Sequence, residues 1–425
     1  MNYRDAMNYI EAAGLLGSKP GLSRISELCG KLKNPQDRVR FVHVAGTNGK
    51  GSVCAMLSGI LVSAGLKTGL FTSPHLSFFE ERIKINGEPI QKERLAEIIG
   101  KVKTCADDMR DKPTEFEIAT AAAFLYFAEE NCDIAVLETG LGGRLDSTNV
   151  IKNPLLSIIT GIALDHTAVL GDTIEKIAAE KGGIIKPGRP VVTGDCPKAA
   201  KKVLEDKAKA AGCRIIAADA ERIKNRNFSL SGTRFTAQPY GEITLGLAGI
   251  NQLGNAAVAI TAAESLKKSG VPLTQEDIKK GLADTVWQAR FEVLSKSPVT
   301  VYDGAHNPQG ASSLAENIEA LCGGRVILAM GVMADKEYAA MVKTLAPYTL
   351  CAFTVTPDNP RALPSAALAE EFIKRGVNAH ASGSVAKGVA AALNAAKKEK
   401  LPLIICGSLY MYSDAAGAVK KALGR

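Results

Sequence analysis

Apolar residues along this chain fall into two kinds of run. Short, uninterrupted stretches rich in β-branched residues stand at 39–44, 68–71, 133–137, 155–160 and 191–194, each leading into a turn built on glycine or serine. Such runs predict strands buried on both faces. Between them, stretches with helical spacing cover 53–62, 91–131 with a break at Pro113, 172–181 and 198–211. Strand alternating with helix predicts a mostly parallel sheet flanked by helices. Residues 1–38 read as helical and polar-faced, with a loop over 14–22, and 81–90 reads as a strand followed by an Asn-Gly turn. The pattern changes at 213–247, where short alternating runs (228–230, 233–236, 243–245) contain few helix formers and predict a small antiparallel sheet appended to the first domain. A helix opens again near Gly249. At Ser295-Lys296-Ser297-Pro298 the composition resets, and a second αβ series follows with strands at 299–302, 325–330, 351–355 and 403–406. The expectation is two domains, 1–294 and 295–425, the second a smaller doubly wound α/β domain.

Composition narrows the class. A chain of 425 residues exceeds what one hydrophobic core usually serves, and 46% hydrophobic with 23% charged residues describes an ordinary globular protein. The net charge of +8 suits small anionic substrates, but no dense Lys/Arg cluster with interleaved aromatics points to nucleic acid. The nine cysteines include no CxxC pair, so neither a zinc site nor a disulfide framework is indicated; they read as reduced thiols of a cytoplasmic protein. The N-terminus has no apolar signal core, and no run of about 18 apolar residues predicts a membrane span.

The chemistry concentrates after the first strand, in Gly46-Thr47-Asn48-Gly49-Lys50-Gly51-Ser52. Strand, glycine turn, lysine, hydroxyl and helix form the layout of a loop that cradles phosphates. Its N–H groups turn toward an anion, and the helix N-terminus adds positive potential. Lys50 would meet the β- and γ-phosphates of ATP, and Ser52 would ligate Mg²⁺. The first domain is therefore read as a P-loop-type nucleotide domain, although its glycine spacing is shorter than the standard pattern. Ser73, in Ser73-Pro74-His75 after the second strand, could supply a second hydroxyl to the metal or could simply be a turn serine. Glu138 ends a central strand and precedes Thr139-Gly140-Leu141-Gly142-Gly143-Arg144-Leu145-Asp146, where a carboxylate can hold Mg²⁺ against phosphates. Thr114 and Glu117 read as a helix cap. The carboxamide of Asn255 offers donor and acceptor to an adenine edge. Asp303, in Asp303-Gly304-Ala305-His306-Asn307-Pro308, could accept from ribose hydroxyls, with His306 toward a phosphate.

Several of these stretches carry a resemblance. GTNGKGS at 46–52, Thr-Ser-Pro-His-Leu at 72–76, the signature over 136–151 and Asp-Gly-Ala-His-Asn-Pro at 303–308 resemble the folylpolyglutamate synthase/dihydrofolate synthase family of the Mur ligase superfamily, over about residues 20–415. The resemblance implies an ATP-dependent amide ligase. The first domain would hold ATP and a pterin substrate; the second, Rossmann-like domain would bring L-glutamate. It implies that Ser73, Pro74, His75, Arg82, Glu117 and Asp146 lie at the folate or dihydropteroate site, and that Arg290 contacts phosphate. His166 resembles a ligand of a second Mg²⁺, and Lys181 a lysine that the superfamily carries as a carbamate; alternatively Lys181 pairs with Glu180 or Glu175. Ser408, with Asp335-Lys336 and Tyr410, resembles the glutamate side. Three departures stand out: Asn251 replaces the usual His of G-x-H-Q-x-x-N-A, and Gln288 and Ala289 replace Pro and Gly in W-P-G-R-F-E. The family suggests a monomer. Two rival readings are a Mur-type ligase acting on cell-wall nucleotide precursors and a nucleotide-binding regulator that ligates nothing.

Overall fold

The computed structural model describes residues 1–425 except Leu16, Ser18 and Arg425, so part of the loop expected over 14–22 lies outside the described residues. The chain forms two compact units: 1–223 with 237–243 and 254–285, and 224–236 with 244–253 and 286–425.

The first unit is built on strands β1 (Arg40–Ala45), β2 (Thr68–Phe71), β3 (Ile83–Ile85), β4 (Glu88–Pro89), β5 (Ile134–Glu138), β6 (Leu156–Ile159), β7 (Val191–Thr193) and β8 (Ile215–Ala217), ordered β4-β3-β2-β5-β1-β6-β7-β8. From β2 to β8 every pairing is parallel. Their central strands are buried on both sides, which is why they read as unbroken apolar runs. The β3–β4 hairpin closes one edge; its turn places Asn86 (φ 53) and Gly87 (φ 87) in the left-handed region, as a tight Asn-Gly turn requires. The register pairs Phe71 with Leu137, Val44 with Glu138 and Ala45 with Ile159. Four strands thus end at one level, and their following loops share one face. Ile215–Ala217 corrects the sequence reading: it joins this parallel sheet beside β7 and is not part of the antiparallel one. Three residues show an apolar run but not its long-range partner.

The helix Lys50–Ser63 leaves the first glycine turn and is buried nearly all round, so its apolar residues follow no single stripe. Helices Lys92–Asp107 and Glu115–Glu129 flank Pro113 as expected, and Thr114 caps the second by accepting from Glu117 N–H. A separate three-stranded sheet comprises β9 (Ile223–Ser229), β10 (Gly232–Ala237) and β11 (Gly241–Leu245), ordered β11-β10-β9.

The second sheet holds β12 (Glu292–Lys296), β13 (Val299–Asp303), β14 (Val326–Met330), β15 (Thr349–Thr356), β16 (Asn378–Ser384) and β17 (Leu403–Cys406), ordered β12-β13-β17-β14-β15-β16. All pairings are parallel except β12 with β13. The two edge strands, β12 and β16, escaped the sequence reading. Edge strands bury little, and β16 is largely exposed Asn, Ala, His, Ser and Gly without apolar alternation.

Candidate functional site

The first glycine turn is clamped to the segment after β6. Thr47 N–H donates to Gly161 O at 2.7 Å, and the Thr160 hydroxyl donates to Asn48 O at 2.6 Å. The Thr47 hydroxyl both donates to Ala163 O and accepts from Ala163 N–H, each at 3.1 Å. Two glycines are sterically required. A Cβ on Gly46 would overlap the Thr160 hydroxyl, and one on Gly49 (φ 83) would overlap Oδ1 of Asn255. Asn255 therefore lies against the glycine turn itself. The turn presents Lys50 and the buried Ser52 on the first helical turn.

Three other loops bring their groups to this turn. Glu138, 5% exposed at the end of β5, lies 4.0 Å from Lys50 Nζ, and its Oε2 accepts from Ser73 N–H at 3.2 Å. Lys50 Nζ also donates to Thr47 O at 3.2 Å. Lys181, at the end of helix Ile174–Lys181, is 4% exposed and donates to Gly46 O at 2.8 Å. Burial, helped by the nearby Lys50 charge, pulls its amine down to about 7, against the opposing pull of Asp165 and Asp146. His166, in the left-handed region (φ 51), is half exposed, with Nε2 3.9 Å from Asp165 Oδ1. Lys181 is thus not paired with Glu180, which instead takes both Nε and Nη2 of Arg144, at 3.0 and 2.9 Å.

The donor set suits a hard cation shared with a nucleotide. Among the described residues no group of three His, Cys, Asp or Glu side chains could hold a metal alone. One carboxylate and two serines beside a phosphate loop match Mg²⁺, which keeps few protein ligands and completes its shell with phosphate oxygens and water. Glu138 beside Ser73 and Lys50 fits that description.

The loop after β2 is organised by charge. Arg82 Nε donates to Nδ1 of His75 at 2.8 Å, and its Nη2 lies 3.2 Å from Glu115. Burial, with Arg82 alongside, pulls His75 down to about 4, so the ring is neutral and accepts. Glu117 is buried; its Oε2 accepts from Arg24 Nε, Thr114 N–H and the Thr114 hydroxyl at 3.1, 2.8 and 2.9 Å, while its Oε1 has no partner among the described residues. Asp146 accepts from Leu141 N–H at 2.8 Å, Thr148 N–H at 3.0 Å and the Thr148 hydroxyl at 2.5 Å. Burial pushes its carboxyl up from the ordinary value against these hydrogen bonds.

In the second unit, Asp303 ends β13 and ties two turns together. It accepts from Phe291 N–H at 2.9 Å and Ala305 N–H at 2.8 Å. Ala289 (φ 57) and Phe291 (φ 49) both sit in the left-handed region, flanking Arg290. Where the family pattern has glycine, this chain accepts that conformation in an alanine. Arg290 packs on Gly304, where a Cβ would overlap its Nη1. His306 Nδ1 is 2.8 Å from Gly304 O. Ser408 is anchored by its carbonyl, which accepts from the buried Tyr302 hydroxyl at 2.5 Å. Near it, Arg361 lies 3.5 Å from the Tyr410 hydroxyl and 4.0 Å from Asp335. Asn251, in place of the usual His, accepts from Asn317 Nδ2 at 3.4 Å, and Asn317 Oδ1 accepts from Ile250 N–H at 2.7 Å.

Sequence reasoning missed Thr160, Asn317, His43 and Thr148. Thr160 had one visible signal, a hydroxyl at the end of a buried strand directly before glycine. The others announce little locally, because His43 and Thr148 meet across 105 residues and Asn317 meets Asn251 across 66.

Residues 44–263 match the Mur ligase middle domain, and residues 289–409 match the Mur ligase, glutamate ligase domain. The dihydrofolate synthase/folylpolyglutamate synthase of Bacillus subtilis is 37% identical, over 97% of this chain and 98% of its own length. The folylpolyglutamate synthase of Lacticaseibacillus casei is 38% identical, over 100% and 99%. Among solved structures, Mycobacterium tuberculosis folylpolyglutamate synthase complexed with ADP and AMPPCP superposes with a TM-score of 0.88 at 30% identity, covering 100% of this chain and 99% of that one. An FPGS–AMPPCP–folate complex gives 0.85 at 35% identity, covering both chains fully.

Proposed function

This chain belongs to the folylpolyglutamate synthase/dihydrofolate synthase family of the Mur ligase superfamily, and from that premise we propose how its residues divide the work. It is an ATP-dependent ligase that joins L-glutamate to folates, with Mg²⁺ as its metal. It also ligates glutamate to dihydropteroate, as the bifunctional names of its relatives suggest. Residues 1–294 bind ATP and the pterin-bearing acceptor, and 295–425 bind glutamate, in keeping with the glutamate ligase domain matched at 289–409. The protein works as a cytoplasmic monomer; its nine free cysteines suit a reducing compartment.

A carboxylate is a poor acyl donor because oxide is a poor leaving group. The acceptor carboxylate oxygen attacks the γ-phosphorus, the bond to the β,γ-bridging oxygen breaks, and ADP leaves. The glutamate amine then attacks the acyl carbon, loses a proton, and expels phosphate carrying the former carboxylate oxygen. The protein has no nucleophile to supply; it positions groups and neutralises charge. Lys50 and the N–H groups of 46–52 take the phosphates. Ser52, Ser73 and Glu138 would hold the Mg²⁺ that offsets phosphate charge when bound. His166 and Lys181, the latter as a carbamate, would hold a second. A buried amine pulled down to about 7 is substantially neutral at neutral pH, the form that reacts with CO₂, and the product would face the phosphate loop as a carboxylate. Asn255 reads the adenine edge, Arg290 and His306 meet phosphate, and Asp303 meets ribose. Pro74, His75, Arg82, Glu117 and Asp146 receive the acceptor, while Ser408 serves the glutamate.

The observation that carries this reading is the convergence of Lys50, Glu138, Ser73 and Lys181 on one glycine turn. Purified protein given ATP and labelled glutamate should label tetrahydrofolate, dihydropteroate or both. Phosphate release that needs neither acceptor nor glutamate would overturn it.

A further inference from the structure

One buried polar group has no part in the scheme above. His43 lies in the middle of β1, fully buried, between Leu137 and Ser157 in register. A histidine on a central strand costs desolvation unless something repays it. Its Nε2 lies 2.8 Å from the Thr148 hydroxyl, which is itself 2.5 Å from Asp146 Oδ1. That oxygen also accepts from Thr148 N–H. The single hydroxyl hydrogen of Thr148 is therefore directed at Asp146, and the hydroxyl must accept from His43. This assigns the Nε2–H tautomer. Nδ1, left as an acceptor, has no partner among the described residues. Burial, with the Lys186 charge beside it, holds the ring neutral, pulled down to about 3.

The same face of the sheet carries related ties. Ser157 donates to Ile184 O at 2.9 Å, Asn149 Nδ2 donates to Arg144 O and Gly183 O at 3.0 and 3.1 Å, and Lys186 donates to Asn149 O at 3.1 Å. The loop between Glu138 and Val150 is thus pinned from beneath, and His43 is the pin that reaches its carboxylate.

We propose that His43 is a positioning residue for the acceptor site, acting through the Thr148 hydroxyl to fix the rotamer and hydrogen-bonding direction of Asp146. This rests on the reading of Asp146 as an acceptor-site residue. Without the Thr148 hydroxyl, Asp146 keeps the backbone donors of Leu141, Thr148 and Gly140 but loses the side-chain donor that fixes the tilt of its carboxylate. The effect should fall on acceptor binding and leave the phosphate loop alone.

The test is steady-state kinetics on the full chain with tetrahydrofolate as the probe acceptor. His43→Leu and Thr148→Val should each raise KM for the acceptor about tenfold, near what loss of one buried hydrogen bond costs, with KM for ATP unchanged. His43→Gln keeps a donor near the Nε2 position and Thr148→Ser keeps the hydroxyl; both should stay near wild type. The double variant His43→Leu/Thr148→Val should be no worse than either single one, because they break one chain. Should His43→Leu not fold, the Thr148 pair decides alone. A lowered melting temperature with acceptor KM unchanged, or equal rises for ATP and acceptor, would overturn the inference. Wild type in the same assay separates the two readings: no glutamate transfer there would reject the ligase reading, not this one.

Discussion

Lys181 donates a hydrogen bond to the carbonyl of Gly46 at 2.8 Å, joining a helix end to the first residue of the phosphate loop 135 positions earlier. The amine is buried and pulled down to about 7, so its protonation changes near neutral pH. Below 7 the folded amine is charged. Between about 7 and 10.5 the unfolded chain holds more protons than the folded one, so stability rises with pH across that window.

Bicarbonate should therefore raise activity, with the response growing as pH passes 7. A carbamate carbon should appear by NMR with ¹³C-bicarbonate and vanish in Lys181→Ala. That variant should regain part of its activity with small carboxylic acids. An unlabelled protein, with no rescue, would leave Lys181 a plain amine.

Lys50→Ala and Glu138→Ala should each reduce ATP-dependent glutamate incorporation by about 10²-fold or more, the scale for losing a group that neutralises developing charge. Circular dichroism should show both variants folded. Turnover near wild type in either would remove it from the mechanism.

Thr160→Val should loosen the glycine turn without touching nucleotide directly, because it removes the donor to Asn48 O. The expected outcome is a rise in KM for ATP with about 1 kcal/mol lost from stability, the usual net worth of one hydrogen bond. Nucleotide titration and denaturant unfolding check both parts.

In the second unit, Asp303→Ala strands two backbone N–H groups, those of Phe291 and Ala305. A cost of about 1–3 kcal/mol per buried unsatisfied group is expected, and Asp303→Asn should lose less because it keeps an acceptor. Ala289→Gly, relieving a left-handed alanine, should be neutral or slightly stabilising. Thermal unfolding ranks the three.

Acidification should destabilise the fold through two neutral histidines. His43 and His75 are held at about 3 and 4 against an ordinary 6.5, so the unfolded chain binds more protons between those values. Stability should fall as pH drops from 6.5 toward 4. His75→Gln should flatten that slope, and an unchanged slope in the variant would contradict the assignment.

Much of this was legible in the chain. Central strands, buried on both faces, announced themselves as apolar runs, and the Lys50 loop carried its chemistry in consecutive residues. What stayed hidden was set by partners distant in sequence. Ile215–Ala217 could not reveal that it would extend the large sheet, and the edge strand Asn378–Ser384 has no apolar face to display. Glu117 read as a cap and is one, but its pairing with Arg24 crosses 93 residues. His43 looked like one more member of an apolar strand until Thr148 stood beside it.

In this mechanism ATP activates the acceptor's carboxylate as an acyl phosphate. Its most direct measurement uses tetrahydrofolate labelled with ¹⁸O in the carboxylate that receives glutamate, together with ATP, Mg²⁺ and L-glutamate. One ¹⁸O should appear in the phosphate released with each amide bond formed. Phosphate free of label, while glutamate is still being joined, would contradict it.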